Sequence, residues 1–338
     1  MKPGPADPFG ERRPLPFRAQ LSVLGGAFTI ESTHATLEHL ALEAFGGLPR
    51  HRLMRRPQRF HVSLVCTDHP ATWPPGAEPP RPTHSAGGGL LCATIDAGNF
   101  AIMDLALSRA LVSISREMLR YRYHARYELI ELAVLTLASR GQSLVPLHAA
   151  CVGARGLGIL LMGPSGAGKS TLSLHALAGG MQLLSEDSAF VAVDSLLVTG
   201  APNYLHVRTN GLRSLSDGPL LRQIRRSPTI RRRSGVRKYE VDLRAIAGRI
   251  AAKPPRLAAT VFLSPEPTGR RPPLRSLGRN AFLARLRREQ RYAAGLRNWR
   301  DFERRIVEIP AFELRRMRDP DGAVEKLKTV LAAMESYS

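Results

Sequence analysis

"LLMGPSGAGKSTLSLHALAGG", residues 160–180, runs from an apolar stretch through a glycine-rich loop into a stretch of helical periodicity. Upstream it extends to "LGILLM", residues 157–162, a continuous apolar run of strand length. Downstream, Gly179 and Gly180 stop the helical pattern where a helix C-terminus favours glycine. A strand enters the loop and a helix leaves it. Between them, Gly163, Pro164, Ser165, Gly166, Ala167, Gly168, Lys169 and Ser170 match G-x-x-x-x-G-K-[ST], with Thr171 following in the first helical turn. The glycines let backbone N–H groups converge on phosphate oxygens, and the helix N-terminus adds partial positive charge. Lys169 is the residue type that reaches the β- and γ-phosphates, and the Ser170 hydroxyl is a magnesium ligand in such loops. The expected ligand is a nucleoside triphosphate with Mg2+.

The chemistry has to come from the flanks. "MQLLSEDSAFVAV", residues 181–193, carries Glu186 and Asp187 between two apolar runs. Successive side chains point to opposite faces of a strand, so this pair can converge only at a turn or bulge. There, one carboxylate can accept a proton from an attacking hydroxyl and the other can hold the metal. "VPLHAACV", residues 145–152, places His148 at the start of an apolar strand that leads toward the loop.

Composition bounds the setting. The 338 residues are 43% hydrophobic and 23% charged, enough for one large or two smaller domains. No apolar run reaches the roughly 18 uncharged residues of a membrane helix, and "MKPGPADPFGERRPLP" lacks a signal-peptide core. A cytoplasmic location without membrane attachment is expected. Cys66, Cys92 and Cys151 form no CxxC pair, which argues against a zinc site or a disulfide framework.

The net charge of +21 is uneven, and residues 222–256 hold twelve Arg or Lys against Glu240 and Asp242. "RRSPTIRRRSGVRKYE" is its densest part. It reads either as a solvated cationic loop or as a surface for an acidic peptide. Nucleic acid fits less well, because Tyr239 alone among these residues could stack on a base.

Along the chain, residues 1–16 read as a disordered Pro-rich tail and 17–124 as a small α+β module, with strands at "FRAQLSVLGGAFTIES" and "RFHVSLVC" and a helix near "HATLEHLALEAF". A loop is expected over 68–89 and a helix over 101–123. A second helix, "RYELIELAVLTLASRG", apolar nearly all round, ends at Gly141 and opens the third region, 125–338. Near the end, "FLARLRREQRYAAGLRNWRDFERRI" and a last stripe through Val324, Leu327, Leu331 and Met334 read as two core-facing helices.

"LHAACV", "GPSGAGKS" and "LLSED", in that order, resemble the kinase domain of HPr kinase/phosphorylase. "SGVRKYEVDLRAI" and "IPAFELRRMRDPDGAVEKL" are similar to segments of smaller HPr-kinase-like proteins of peptide-biosynthesis clusters, including lasso-peptide tailoring kinases. The resemblance spans roughly residues 125–335. It implies a mixed α/β fold, with a P-loop kinase core of the HPr kinase/phosphoenolpyruvate carboxykinase-like type rather than a doubly wound parallel sheet. It also implies ATP-dependent transfer of the γ-phosphoryl group to a serine of a peptide or small protein, such as a lasso-peptide precursor or an HPr-type carrier protein. Homo-oligomers are compatible with it. His148 becomes a site residue, and Arg237 or Lys238 a cation reaching the transferring phosphate. Glu186 is expected as proton acceptor, with Ser170 and Asp187 on the metal. The family pattern usually has two aspartates where this chain has Glu186 and Asp187. Two other readings are a non-catalytic ATP-sensing module and a nucleic-acid-stimulated ATPase.

Overall fold

The computed structural model describes residues 14–54, 56–212, 215, 218–246 and 248–336, and the chain divides into two compact units. Residues 1–13, most of the expected tail, lie outside the described residues.

The first unit comprises Met1–Gly47 and Arg56–Gln142. Its seven-stranded sheet is built from β1 (Phe17–Val23), β2 (Gly26–Ser32), β3 (Arg59–Thr67), β4 (Thr83–Gly87), β5 (Leu90–Thr94), β6 (Phe100–Asp104) and β7 (Arg109–Ser115), in the order β1, β2, β3, β7, β6, β5, β4. β2, β3 and β7 run parallel, and the helix Ala35–Phe45 connects β2 toward β3. Residues 101–123 are not a helix. Ala101 and Met103, then Ala110, Val112 and Ile114, are buried at every second position, and this two-residue period makes a hairpin. Its turn has neither Gly nor Pro; Asp104 Oδ1 closes it by accepting from the Leu107 N–H at 2.9 Å, and Ser108 takes φ 54°.

The expected boundary at 124/125 falls instead after Gln142. The chain passes through a wide π-type turn, Ala125–Glu131, into the helix Leu132–Gly141, which packs on the first sheet. A Cβ added at Gly141 would lie 2.6 Å from the Phe60 ring, so glycine permits that approach. Gln142 Nε2 donates to Leu24 O at 3.1 Å.

The second unit comprises Leu48–Arg55 and Ser143–Ser338. Its strands are β8 (Val145–Leu147), β9 (Ala150–Ala154), β10 (Leu157–Met162), β11 (Gln182–Ser185), β12 (Ala189–Val191), β13 (Val198–Thr199), β14 (Tyr204–Arg208), β15 (Thr229–Arg231), β16 (Arg237–Asp242), β17 (Arg256–Pro267), β18 (Leu274–Ser276) and β19 (Ala311–Arg316). The central six-stranded sheet runs β11, β9, β10, β17, β19, β18. β10, β17 and β19 are parallel and the other pairs antiparallel, so the sheet is mixed, and the fold is mixed α/β.

Both faces of this sheet are covered, which explains the unbroken apolar run of β10. Ile159 and Leu161 pack with the helices Lys169–Ala178 and Pro320–Glu335, through Leu177, Val324, Leu327 and Leu331. Leu160 and Met162 face the other way, against Phe282, Phe302 and Ile306 and the small sheet β13, β12, β8. Each such fully buried side chain contributes about 1.5–3 kcal/mol. The expected long helix at 282–306 is three pieces, Arg279–Glu289, Arg291–Ala294 and Trp299–Ile306. A third sheet runs β14, β16, β15. Cys151 is buried, which pushes its thiol pKa up to about 12, while Cys66 and Cys92 are half-buried and all three are free thiols.

Among the described residues, no helix is long and apolar enough to cross a membrane.

Candidate functional site

β10 ends at Met162, and the chain then turns through Gly163, Gly166 and Gly168 with φ of 151°, 85° and 102°. Those angles favour glycine. At Gly163 the space is also closed, since a Cβ would meet Leu263 O and Ala167 Cβ, each at 3.1 Å. At Gly166 and Gly168 a Cβ would meet nothing within 4 Å, so backbone angle alone accounts for them. Gly168 caps the helix Lys169–Ala178, whose first-turn N–H groups at 169, 170 and 171 have no acceptor within the helix. They are donors suited to an anion.

Lys169 is 7% exposed, with Nζ 2.6 Å from Gly163 O and 3.2 Å from His148 Nε2. Its pKa lies below the ordinary lysine value, chiefly because burial disfavours the charge, with Asp187 and Glu289 opposing. His148 Nδ1 lies 3.2 Å from Asp187 Oδ1. Because an ammonium can only donate, Nε2 accepts from Lys169 and Nδ1–H donates to Asp187. The chain Lys169, His148, Asp187 is thereby continuous.

His148 sits between β8 and β9 and is clamped by a residue that sequence reading missed. Gln290 Oε1 accepts from the His148 N–H at 2.8 Å, and Gln290 Nε2 donates to His148 O at 3.2 Å. Gln290, 3% exposed, occupies the break between Arg279–Glu289 and Arg291–Ala294, so the interruption of the expected helix places this side chain.

The two acids lie at the passage from β11 in the central sheet to β12 in the small sheet. Ser185 Oγ accepts from the Ser188 N–H at 2.9 Å and tightens that turn. The neighbours point to different partners. Asp187, with a side chain 57% exposed, faces His148. Glu186 Oε2 accepts two hydrogen bonds from His206 of β14, from Nδ1 at 2.8 Å and from the backbone N–H at 3.0 Å. Burial alone would raise the Glu186 pKa, but the His206 bonds and charge, with Lys238, outweigh it and leave it below the ordinary carboxylate value. His206 is buried too. Burial lowers its proton affinity, yet Glu186 on one side and Glu240 Oε1, 3.5 Å from Nε2, on the other hold it above the ordinary histidine value. A carboxylate so engaged is a poor proton acceptor, which argues against the base role expected of Glu186.

His148, Lys169, Glu186, Asp187 and His206 line one cavity of about 570 Å³, together with Pro164, Ser165, Ser170 and Thr171 of the loop segment. Ala167 is half-buried beside them. Arg237 does not line it. It is exposed, while Val236 and Lys238 line the cavity, as strand alternation requires. Arg208 and Arg232 also line it; Arg232 belongs to the basic segment singled out from sequence, whereas Arg208 was not found. Lys238 is half-buried, and its pKa is lowered first by burial and then by Arg232 and Arg208, against Glu186.

Among the described residues, no group of three or more His, Cys, Asp or Glu is placed to hold a metal by itself. Magnesium needs no such cage, since one or two protein oxygens with phosphates and waters suffice. Ser170, Glu186 and Asp187 supply oxygens on the same cavity.

No family model matches the chain, and no curated protein matches it. Among solved structures it is similar to the HPr(Ser) kinase/phosphatase from Coxiella burnetii, at 13% identity and a TM-score of 0.30, over 56% of this chain and 98% of that one. A similarity so slight assigns neither fold nor activity.

Proposed function

We propose that the chain is an ATP-dependent kinase that transfers the γ-phosphoryl group to a serine hydroxyl of a peptide or small protein. A lasso-peptide precursor is the finer candidate for the acceptor. The observation that carries the reading is the chain Lys169, His148, Asp187 on the rim of a glycine loop with positive φ. It sets a phosphate-binding cation and an exposed carboxylate on one cavity.

In this reading the N–H groups at the helix start and Lys169 bind the phosphates. Asp187 accepts the hydroxyl proton, because it is the exposed acid of the pair, and His148 orients it. Ser170 and Glu186 would hold magnesium, and a ligating carboxylate that is itself hydrogen-bonded, as Glu186 is by His206, suits that task. Bound there, the ion would neutralise charge on the β- and γ-phosphates. The division of labour between the two acids is thus the reverse of the one expected from sequence.

The test is Mg-ATP binding and phosphate transfer to added serine peptides, followed by calorimetry and mass spectrometry. Wild type should bind Mg-ATP and add phosphate to serine, and Lys169→Ala should lose both. Equal Mg-ATP affinity in wild type and Lys169→Ala would overturn the reading. Binding without transfer to any peptide would favour an ATP-sensing module.

A further inference from the structure

The sheet β14, β16, β15 brings cations to the cavity that a nucleotide's phosphates do not require. Arg208 and Lys238 are direct cross-strand partners in the β14/β16 register. Arg232 follows β15, at the start of a hairpin closed by Gly235 N–H to Arg232 O at 2.8 Å. All three line the same cavity as Lys169. Like charges directly opposite each other destabilise a sheet. Glu186 and Asp187 act on Lys238, raising its proton affinity against burial and the two arginines, while Glu186 is also engaged by His206 and Asp187 faces His148. The loop, the helix start and Lys169 already serve the phosphates, and they belong to a different part of the chain. Four cations, Lys169, Arg208, Arg232 and Lys238, thus share the cavity with two carboxylates.

We propose that Arg208, Arg232 and Lys238 form a second anion subsite, separate from the phosphate loop, that binds acidic side chains flanking the acceptor serine. The substrate class is then an acidic peptide. Guanidinium groups suit this because their planar fork pairs bidentately with a carboxylate. The proposal rests on reading the loop as the nucleotide site. It also narrows the wider basic segment to particular side chains, because Arg231 and Arg237 are exposed, pair with each other across β15 and β16, and do not line the cavity.

The experiment uses the full chain with Mg2+ and a non-hydrolysable ATP analogue. Two fluorescent peptides are compared, identical except for Asp or Asn on both sides of a central serine. The acidic peptide should bind about tenfold more tightly or better, the scale of one charge-assisted bond. Arg208→Gln with Lys238→Gln should abolish that preference while the analogue's affinity stays at the wild-type level, which also shows that the variant is folded. Arg231→Gln should keep the preference. Equal binding of the two peptides, or binding of neither, overturns the subsite. A double variant that loses the nucleotide as well also overturns it, because the cations then serve the phosphates. Preferential binding of the acidic peptide with no phosphate transferred from ATP leaves the subsite standing and sinks the kinase reading instead.

Discussion

At the residue scale, the two neighbouring acids give the sharpest contrast. Asp187→Asn keeps the shape and removes the proton acceptor, so phosphoryl transfer should fall by roughly 10² or more with Mg-ATP binding largely retained. Glu186→Gln should weaken the dependence on magnesium and the nucleotide affinity as well, because it disturbs the carboxylate that His206 holds. Magnesium and ATP titrations of both variants, read against peptide phosphorylation, decide it, and exchanged phenotypes would restore Glu186 as the base. Lys169 is singled out by the loop motif and Glu186 with Asp187 by their place between two apolar runs, whereas His148 is singled out through the family resemblance; the structure sets all four on one cavity. His206 and Arg208 were not legible in sequence, because they reach the cavity through the pairing of β14 with β16. Of the two cations offered, Arg237 and Lys238, strand period favours Lys238 for the cavity. With Val241 buried in the core, alternation sets 237, 239 and 241 on one face and leaves Lys238 with Glu240, the partner of His206, on the other.

Elements fail and succeed for reasons of period. The strand, glycine loop and helix at 157–178 were legible because an apolar run, three glycines and a helical stripe agree. The hairpin at 100–115 was misread, since its turn is closed by an aspartate rather than by Gly or Pro. The segment 282–306 reads as one helix because its apolar spacing survives two interruptions. The first interruption carries a consequence for the site. Gln290→Leu keeps the volume but removes both hydrogen bonds to the His148 backbone, each worth about 0.5–1.5 kcal/mol. The expected result is a lower melting temperature and phosphate transfer slowed about tenfold through loss of the His148 position, with Mg-ATP affinity little changed. Unaltered transfer in a destabilised Gln290→Leu protein would make the clamp structural only.

At the scale of the whole molecule, the chain order and the unit order differ. Leu48–Arg55 lies between segments of the first unit in sequence yet belongs to the second. Nothing local in "LPRHRLMR" announces this, and among its described residues His51 is an anchor. His51, 5% exposed, has Nδ1 2.8 Å from Thr199 Oγ1 and Nε2 3.0 Å from Ala251 O. A carbonyl can only accept, so Nε2 carries the proton and Nδ1 takes one from the Thr199 hydroxyl, an arrangement that suits a neutral ring. Burial holds the His51 pKa below its ordinary value, with the Ala251 carbonyl opposing. The unfolded chain therefore binds a proton in the ordinary histidine range that the folded chain refuses. The His51 contribution is fully present above that range and is lost as pH falls through it. His51→Asn should lower the melting temperature at pH 7.5 by several degrees, on a scale of about 2–4 °C per kcal/mol. The variant should also lose less stability than wild type between pH 7.5 and pH 5, so the two melting curves draw together on acidification. A gap that stays constant or widens toward pH 5 would show that His51 is not the group that senses the change.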